Sequence, residues 1–149
     1  MGARHACGVP AIVMGGSFVG FGALAHQVGL ALWHALFSTA TGWALPGQIA
    51  LVELYAVGAS LLVIAVAVGL TNARLLPMTV TLIPLLRAPG VPRWQYYAIS
   101  HFIAVTGWVA AMRVCPTLRA EQRLPYYAGF AGMLWVISLL ATWAGFALA

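Results

Sequence analysis

Arg74 lies within TNARLLPMTVTLIPLLR, residues 71–87, a stretch that is otherwise almost entirely apolar. An arginine at the centre of a membrane helix costs about 2.5–3.5 kcal/mol on insertion scales, so its presence needs an offset. Three are available: snorkelling from near a helix end to the headgroups, a planar fork of donors offered to a substrate carboxylate in a cavity, or an ion pair with Glu53. Asn72, two positions earlier, and Gln48 can each donate and accept hydrogen bonds, which suits an ammonium or a carboxylate group. Glu53 is the only acid in an apolar segment; it could exchange a proton during transport, sit at the membrane surface, or act as Arg74's counter-charge. His101 and His26 are candidate proton carriers, although a neutral histidine bonded across helices is the more ordinary state.

Little else in the chain carries chemistry. There is no nucleotide-binding P-loop and no nucleophile elbow. The two acids, Glu53 and Glu121, lie far apart. Ser100 and His101 are neighbours, and adjacent helical residues point in different directions, so they do not form a nucleophile–base pair. Cys7 and Cys115 lack metal-ligand spacing and read as free thiols. The expectation is a protein that is not an enzyme, with no metal and no cofactor.

Composition sets the environment in which these residues must work. The 149 residues are 63% hydrophobic and only 6% charged, with a mean hydropathy of +0.97, which leaves too little polar surface to coat a water-soluble globule. The chain belongs in a bilayer, as one integral membrane domain over residues 1–149. That length supplies about five spans of roughly 20 residues each. All seven basic residues are arginines, and the net charge is +5. They fall mainly near helix ends, which suggests phospholipid headgroups and topology and not nucleic acid.

Five membrane segments follow from the apolar runs, giving an all-α, polytopic bundle. Residues 9–30 read as a retained first span, whose Gly16 and Gly20 form a GxxxG pair that permits close helix contact, or that simply reflects how common glycine is in membrane helices of every function. Residues 33–57 are interrupted by Pro46 and Gly47, which predicts a kink or an unwound point. Residues 58–86 would make a helix roughly 43 Å long against a hydrocarbon core of ~30 Å. They therefore form a tilted helix, a span followed by an interfacial helix, or two half-helices joined around 71–76, and Pro77 and Pro84 weigh against one straight helix. Residues 95–114 read as a fourth span with His101 inside it, and residues 126–148 as the fifth. The arginine distribution favours a cytoplasmic N-terminus.

With those residues in view, the chain resembles the AzlC family of branched-chain amino-acid permeases. The resemblance runs from GSFVGFGALAHQVGL through LPGQIALVELYAVGAS and LTNARLLPMTVTLIPLLR to AISHFIAVTGW. Its most specific parts are the glutamine followed by an apolar run to GAS, and the Asn-x-Arg of Asn72 and Arg74. The resemblance implies a multi-pass protein of the bacterial inner membrane that exports valine, leucine or isoleucine, with a small AzlD-like membrane subunit as second component.

Several positions depart from the family pattern. Leu75 stands where many members have His, Ser100-His101-Phe102 where many have Thr-Asp-Glu, and Leu45-Pro46-Gly47 where a small-residue run is usual. Losing that acidic pair weakens a transfer of proton coupling, with Glu53 and His101 left as the titratable candidates. The ending WAGFALA suggests a shortened member.

The reading that unites these features is alternating access around breaks near Pro46-Gly47 and Pro77 that approach each other at mid-membrane. Gly47, Gln48, Asn72 and Arg74 would contact the amino acid. The alternative is a structural or regulatory subunit that stabilises a partner without transporting.

Overall fold

In the computed structural model, which describes residues 2–149, the chain forms nine α-helices and one short 3-10 turn. They are α1 (Gly2–Ala6), α2 (Val9–Gln27), α3 (Leu32–Gly42), α4 (Leu45–Ala56), α5 (Leu61–Asn72), α6 (Leu75–Leu86), α7 (Arg93–Ser100), α8 (Val105–Val114) and α9 (Ala120–Leu148). The all-α architecture expected from hydropathy is what the chain adopts. Among the described residues, α2 and α9 are individually long and apolar enough to cross a bilayer, and α5 with α6, bent by 43°, reaches that length and hydropathy as a pair. The other helices do not reach that length and hydropathy alone or as bent pairs, so two or three of the five expected spans are met.

Proline chemistry explains where two of the breaks fall. Pro46 occupies the first turn of α4, where a missing N–H deprives the helix of nothing and the fixed φ favours its start. The interruption is therefore at Trp43 and Ala44, just upstream of Pro46 and Gly47. Pro77 likewise sits in the first turn of α6, and the bend falls at Ala73 and Arg74. Of the three forms open to residues 58–86, the chain adopts two half-helices. These prolines begin the second halves; they do not lie in the breaks themselves.

The fourth segment differs from expectation. Instead of running unbroken, it stops at Ser100 and resumes at Val105, although no proline or glycine lies between. Partners from other helices take up the freed backbone there: the Tyr127 hydroxyl donates to the Phe102 carbonyl at 2.9 Å. α9 starts earlier than expected and carries Pro125 inside it.

α9 is the post against which the rest is arranged. α2 crosses it so closely that a Cβ on Gly22 would collide with the Thr142 carbonyl, and one on Gly145 with the Val19 carbonyl. Small residues permit such approach where lipid supplies no hydrophobic drive and packing must hold helices together. Gly16 and Gly20, by contrast, have nothing within 4 Å of an added Cβ. The GxxxG pair does not make the contact expected of it; Gly22 and Gly145 do. Phe18, Phe21, Phe130 and Leu134 fill the seam between α2 and α9 and neighbouring helices. On the outer surface of α5, Leu61 is 84% exposed and Leu62 75%, which suits a face turned to acyl chains.

Candidate functional site: a polar centre where three helices break

A helix that stops inside an apolar bundle leaves its last carbonyls without intrahelical donors. At the end of α3, the Ala40 carbonyl accepts from Trp135 Nε1 at 3.2 Å and from His101 Nε2 at 2.9 Å. The second bond places a proton on Nε2 of the imidazole. It also joins the α3–α4 break to the α7–α8 break, and the rings of Trp43 and Phe102, one from each break, meet edge to face at 6.3 Å.

Beside this junction lies a buried network whose donors can all be traced. Gln48, only 4% exposed, donates through Nε2 to Ser38 Oγ and Thr39 Oγ1, both at 3.0 Å. Ser38 gives its own proton to the Ala35 carbonyl, and Thr142 gives its proton to the Ser138 carbonyl. The Thr39–Thr142 contact of 3.1 Å must then have Thr39 as donor. Trp43 Nε1 donates to Ser138 Oγ at 3.0 Å, and that hydroxyl donates to the Leu134 carbonyl. Since the hydroxyl protons of Ser38 and Thr39 are committed elsewhere, the amide of Gln48 must present its NH2 to them. Its Oε1 remains, buried and accepting from no protein donor.

The third break adds a second such oxygen. Asn72 closes α5, and its amide lies against the first turn of α4 where Gly47 has no side chain. Its Oδ1 is also buried with no protein donor. Leaving a buried acceptor unfilled costs about 1–3 kcal/mol. Each of the two lies beside a helix break and lacks an N–H donor from the protein.

Arg74 is exposed and stands at the N-cap of α6 without making a side-chain cap. Glu53 is exposed as well. α4, α6 and α8 all begin without a side-chain cap, leaving the positive ends of three short helices at the breaks. His101 is exposed at the α7–α8 break and held to α3. A cleft of about 810 Å³ lies elsewhere, between α6 and α7.

The family model for AzlC protein matches residues 10–149, nearly the whole chain. The chain belongs to the AzlC family. No curated protein and no solved structure matches it. AzlC proteins are associated with branched-chain amino-acid transport, so this chain is a membrane transport protein and not a member of an enzyme family.

For this AzlC protein, sequence reasoning singled out Gly47, Gln48, Glu53, Asn72, Arg74 and His101; all but Glu53, which is exposed within α4, stand at or beside the three helix breaks. It missed Ser38, Thr39, Trp43, Trp135, Ser138 and Thr142. Ser138 and Thr142 were findable, since two hydroxyls at i, i+4 on an apolar helix mark one polar stripe. Trp43 and Trp135 carry no signal that separates a network donor from an interfacial anchor.

Proposed function

We propose that this AzlC protein is an export permease for branched-chain or other small apolar amino acids in the bacterial inner membrane, assisted by a small AzlD-like membrane subunit. The observation that carries this reading is the pair of unfilled amide oxygens, Gln48 Oε1 and Asn72 Oδ1, beside three interrupted segments. An amino acid's ammonium supplies the N–H donors these oxygens lack. Its carboxylate is drawn to the uncapped helix starts and to Arg74, whose planar fork matches two carboxylate oxygens. The branched side chain then lies on apolar wall. Short half-helices that pivot at their breaks supply the motion for alternating access.

Glu53 and His101 are the groups through which proton coupling would run. The competing reading, a structural or regulatory subunit, draws on how thoroughly the Gln48 donors are already used within the protein.

Counterflow of labelled valine into proteoliposomes, with and without the small subunit, tests the proposal. Gln48→Met keeps the side-chain length and removes the amide. The expected result is valine counterflow by the native chain and a loss on the order of tenfold or more in Gln48→Met at equal membrane level. Undiminished flux in Gln48→Met removes the ammonium site. A chain that binds its partner but carries no amino acid under either condition establishes the structural reading.

A further inference from the structure

The loop between α6 and α7 begins at Arg87 and ends at Arg93, which caps the end of α6 and opens α7 respectively. Between these two helices runs the cleft of about 810 Å³, at the upper end of the roughly 300–1,000 Å³ common for small-molecule sites. Its walls are one stripe from each helix. Val80, Ile83 and Pro84 line it from α6, with Tyr96 and Tyr97 from α7. Both arginines are at the loop end, and the apolar walls run inward from them. No acidic residue lines the cleft.

The loop end also bears the marks of a membrane–water boundary. Trp94 is 65% exposed and Tyr97 77%, the aromatic types that gather at headgroup depth. A third arginine, Arg123, donates to the Leu85 carbonyl at 3.3 Å and to the Leu118 carbonyl at 3.1 Å, tying the start of α9 to the end of α6 at this level. The Tyr96 hydroxyl accepts from the Ala88 N–H at 3.1 Å and pins the loop over the cleft.

A groove with two exposed guanidinium groups at the headgroup level and an apolar trough leading inward fits an amphiphile with an anionic head. We propose that the α6–α7 cleft is a binding site for an anionic phospholipid, with the phosphate between Arg87 and Arg93 and an acyl chain along Val80, Ile83 and Pro84. Charge complementarity favours this occupant: a zwitterionic headgroup would place its own cation beside two arginines with no acid to receive it. The site is separate from the polar centre at Gln48, and its test does not depend on transport.

Native mass spectrometry of the full chain in detergent reads the binding directly, using phosphatidylglycerol and phosphatidylcholine of matched acyl chains as probes. The expected result is preferential retention of phosphatidylglycerol. Arg87→Ala/Arg93→Ala should weaken it on the order of tenfold or more, as two charge-assisted contacts are lost. Arg113→Ala/Arg119→Ala, which removes the same charge elsewhere, should retain it. Val80→Trp keeps both arginines but fills the trough, and should also weaken retention; a melting temperature for each variant separates this from unfolding.

Equal retention of the two lipids, or equal loss in the Arg113/Arg119 control, overturns the site. Displacement of the lipid by inorganic phosphate alone assigns the arginines to a free oxyanion and overturns the lipid. Displacement by valine assigns the cleft to the amino acid and overturns it likewise.

Discussion

The amide of Asn72 lies against the bare Cα of Gly47, so close that a Cβ added to the glycine would meet Oδ1 at 2.5 Å and Nδ2 at 2.8 Å. This contact joins the α5–α6 break to the first turn of α4, one residue before Gln48. Because Asn72 is partly buried and Gly47 wholly so, the amide has little room to retreat. Gly47→Ala is therefore expected to displace Asn72 and depress valine counterflow sharply. Adding Asn72→Ala to Gly47→Ala should restore thermal stability toward the native value without restoring flux. A double variant that transports normally would show that the asparagine only fills space.

Thr142 stands at the crossing of the Gln48 network and the α2–α9 seam. Thr142→Val removes the acceptor for the Thr39 hydroxyl while keeping the shape of the side chain, so a buried donor is stranded. The expected destabilisation is about 1–3 kcal/mol, visible as a lower melting temperature in detergent. No change in melting would mean that Thr39 finds another acceptor.

The α7–α8 break relies on the Tyr127 hydroxyl for the Phe102 carbonyl. Tyr127→Phe keeps the ring and deletes the hydroxyl that makes that bond, at about 0.5–1.5 kcal/mol. Hydrogen exchange should quicken for amides around residues 101–107 and stay unchanged in α2. Uniform exchange in both proteins would place the support of this break elsewhere.

Proton coupling through Glu53 or His101 has its own measurement. Collapsing the pH gradient at fixed membrane voltage should slow valine efflux in the native chain. Glu53→Gln or His101→Gln should transport at a rate that no longer responds to the gradient. A native rate indifferent to the gradient excludes the coupling while leaving the Gln48 site intact.

The two thiols should react very differently. Cys7 is exposed and Cys115 buried. Burial raises the Cys115 thiol above its usual value, and nearby Arg123 lowers it by less. At pH 7–8 the thiolate of Cys115 is thus scarcer than that of an ordinary cysteine, and thiolate is the reactive form. Maleimide should label one thiol per chain in the folded protein and two after denaturation. The Cys115 reaction should speed up only at a pH above that at which an exposed thiol ionises. Rapid double labelling of the folded chain would refute the burial.

Part of the polar centre was legible in the sequence because polar residues in an apolar run need a reason. Gln48, Asn72 and Arg74 stood out on that ground, and the prolines placed two breaks to within a few residues. The third break, between Ser100 and Val105, was not visible, since its Phe102 carbonyl is satisfied by Tyr127, distant in the chain, and its His101 is held by the Ala40 carbonyl of the α3–α4 break. The GxxxG spacing misled for a related reason. Glycine spacing marks where a helix can be approached, and which face is approached depends on the partner.

Composition and hydropathy by themselves determined a helical membrane protein, because backbone polar groups in hydrocarbon must be paired within the segment. Tertiary structure alone decided which carbonyls and hydroxyls meet. The direction of each hydrogen bond around Gln48 depends on partners on three helices, and from that direction comes the one acceptor left open. An unfilled oxygen belongs to the arrangement of its neighbours and to no residue type, so no single stretch of the chain encodes it.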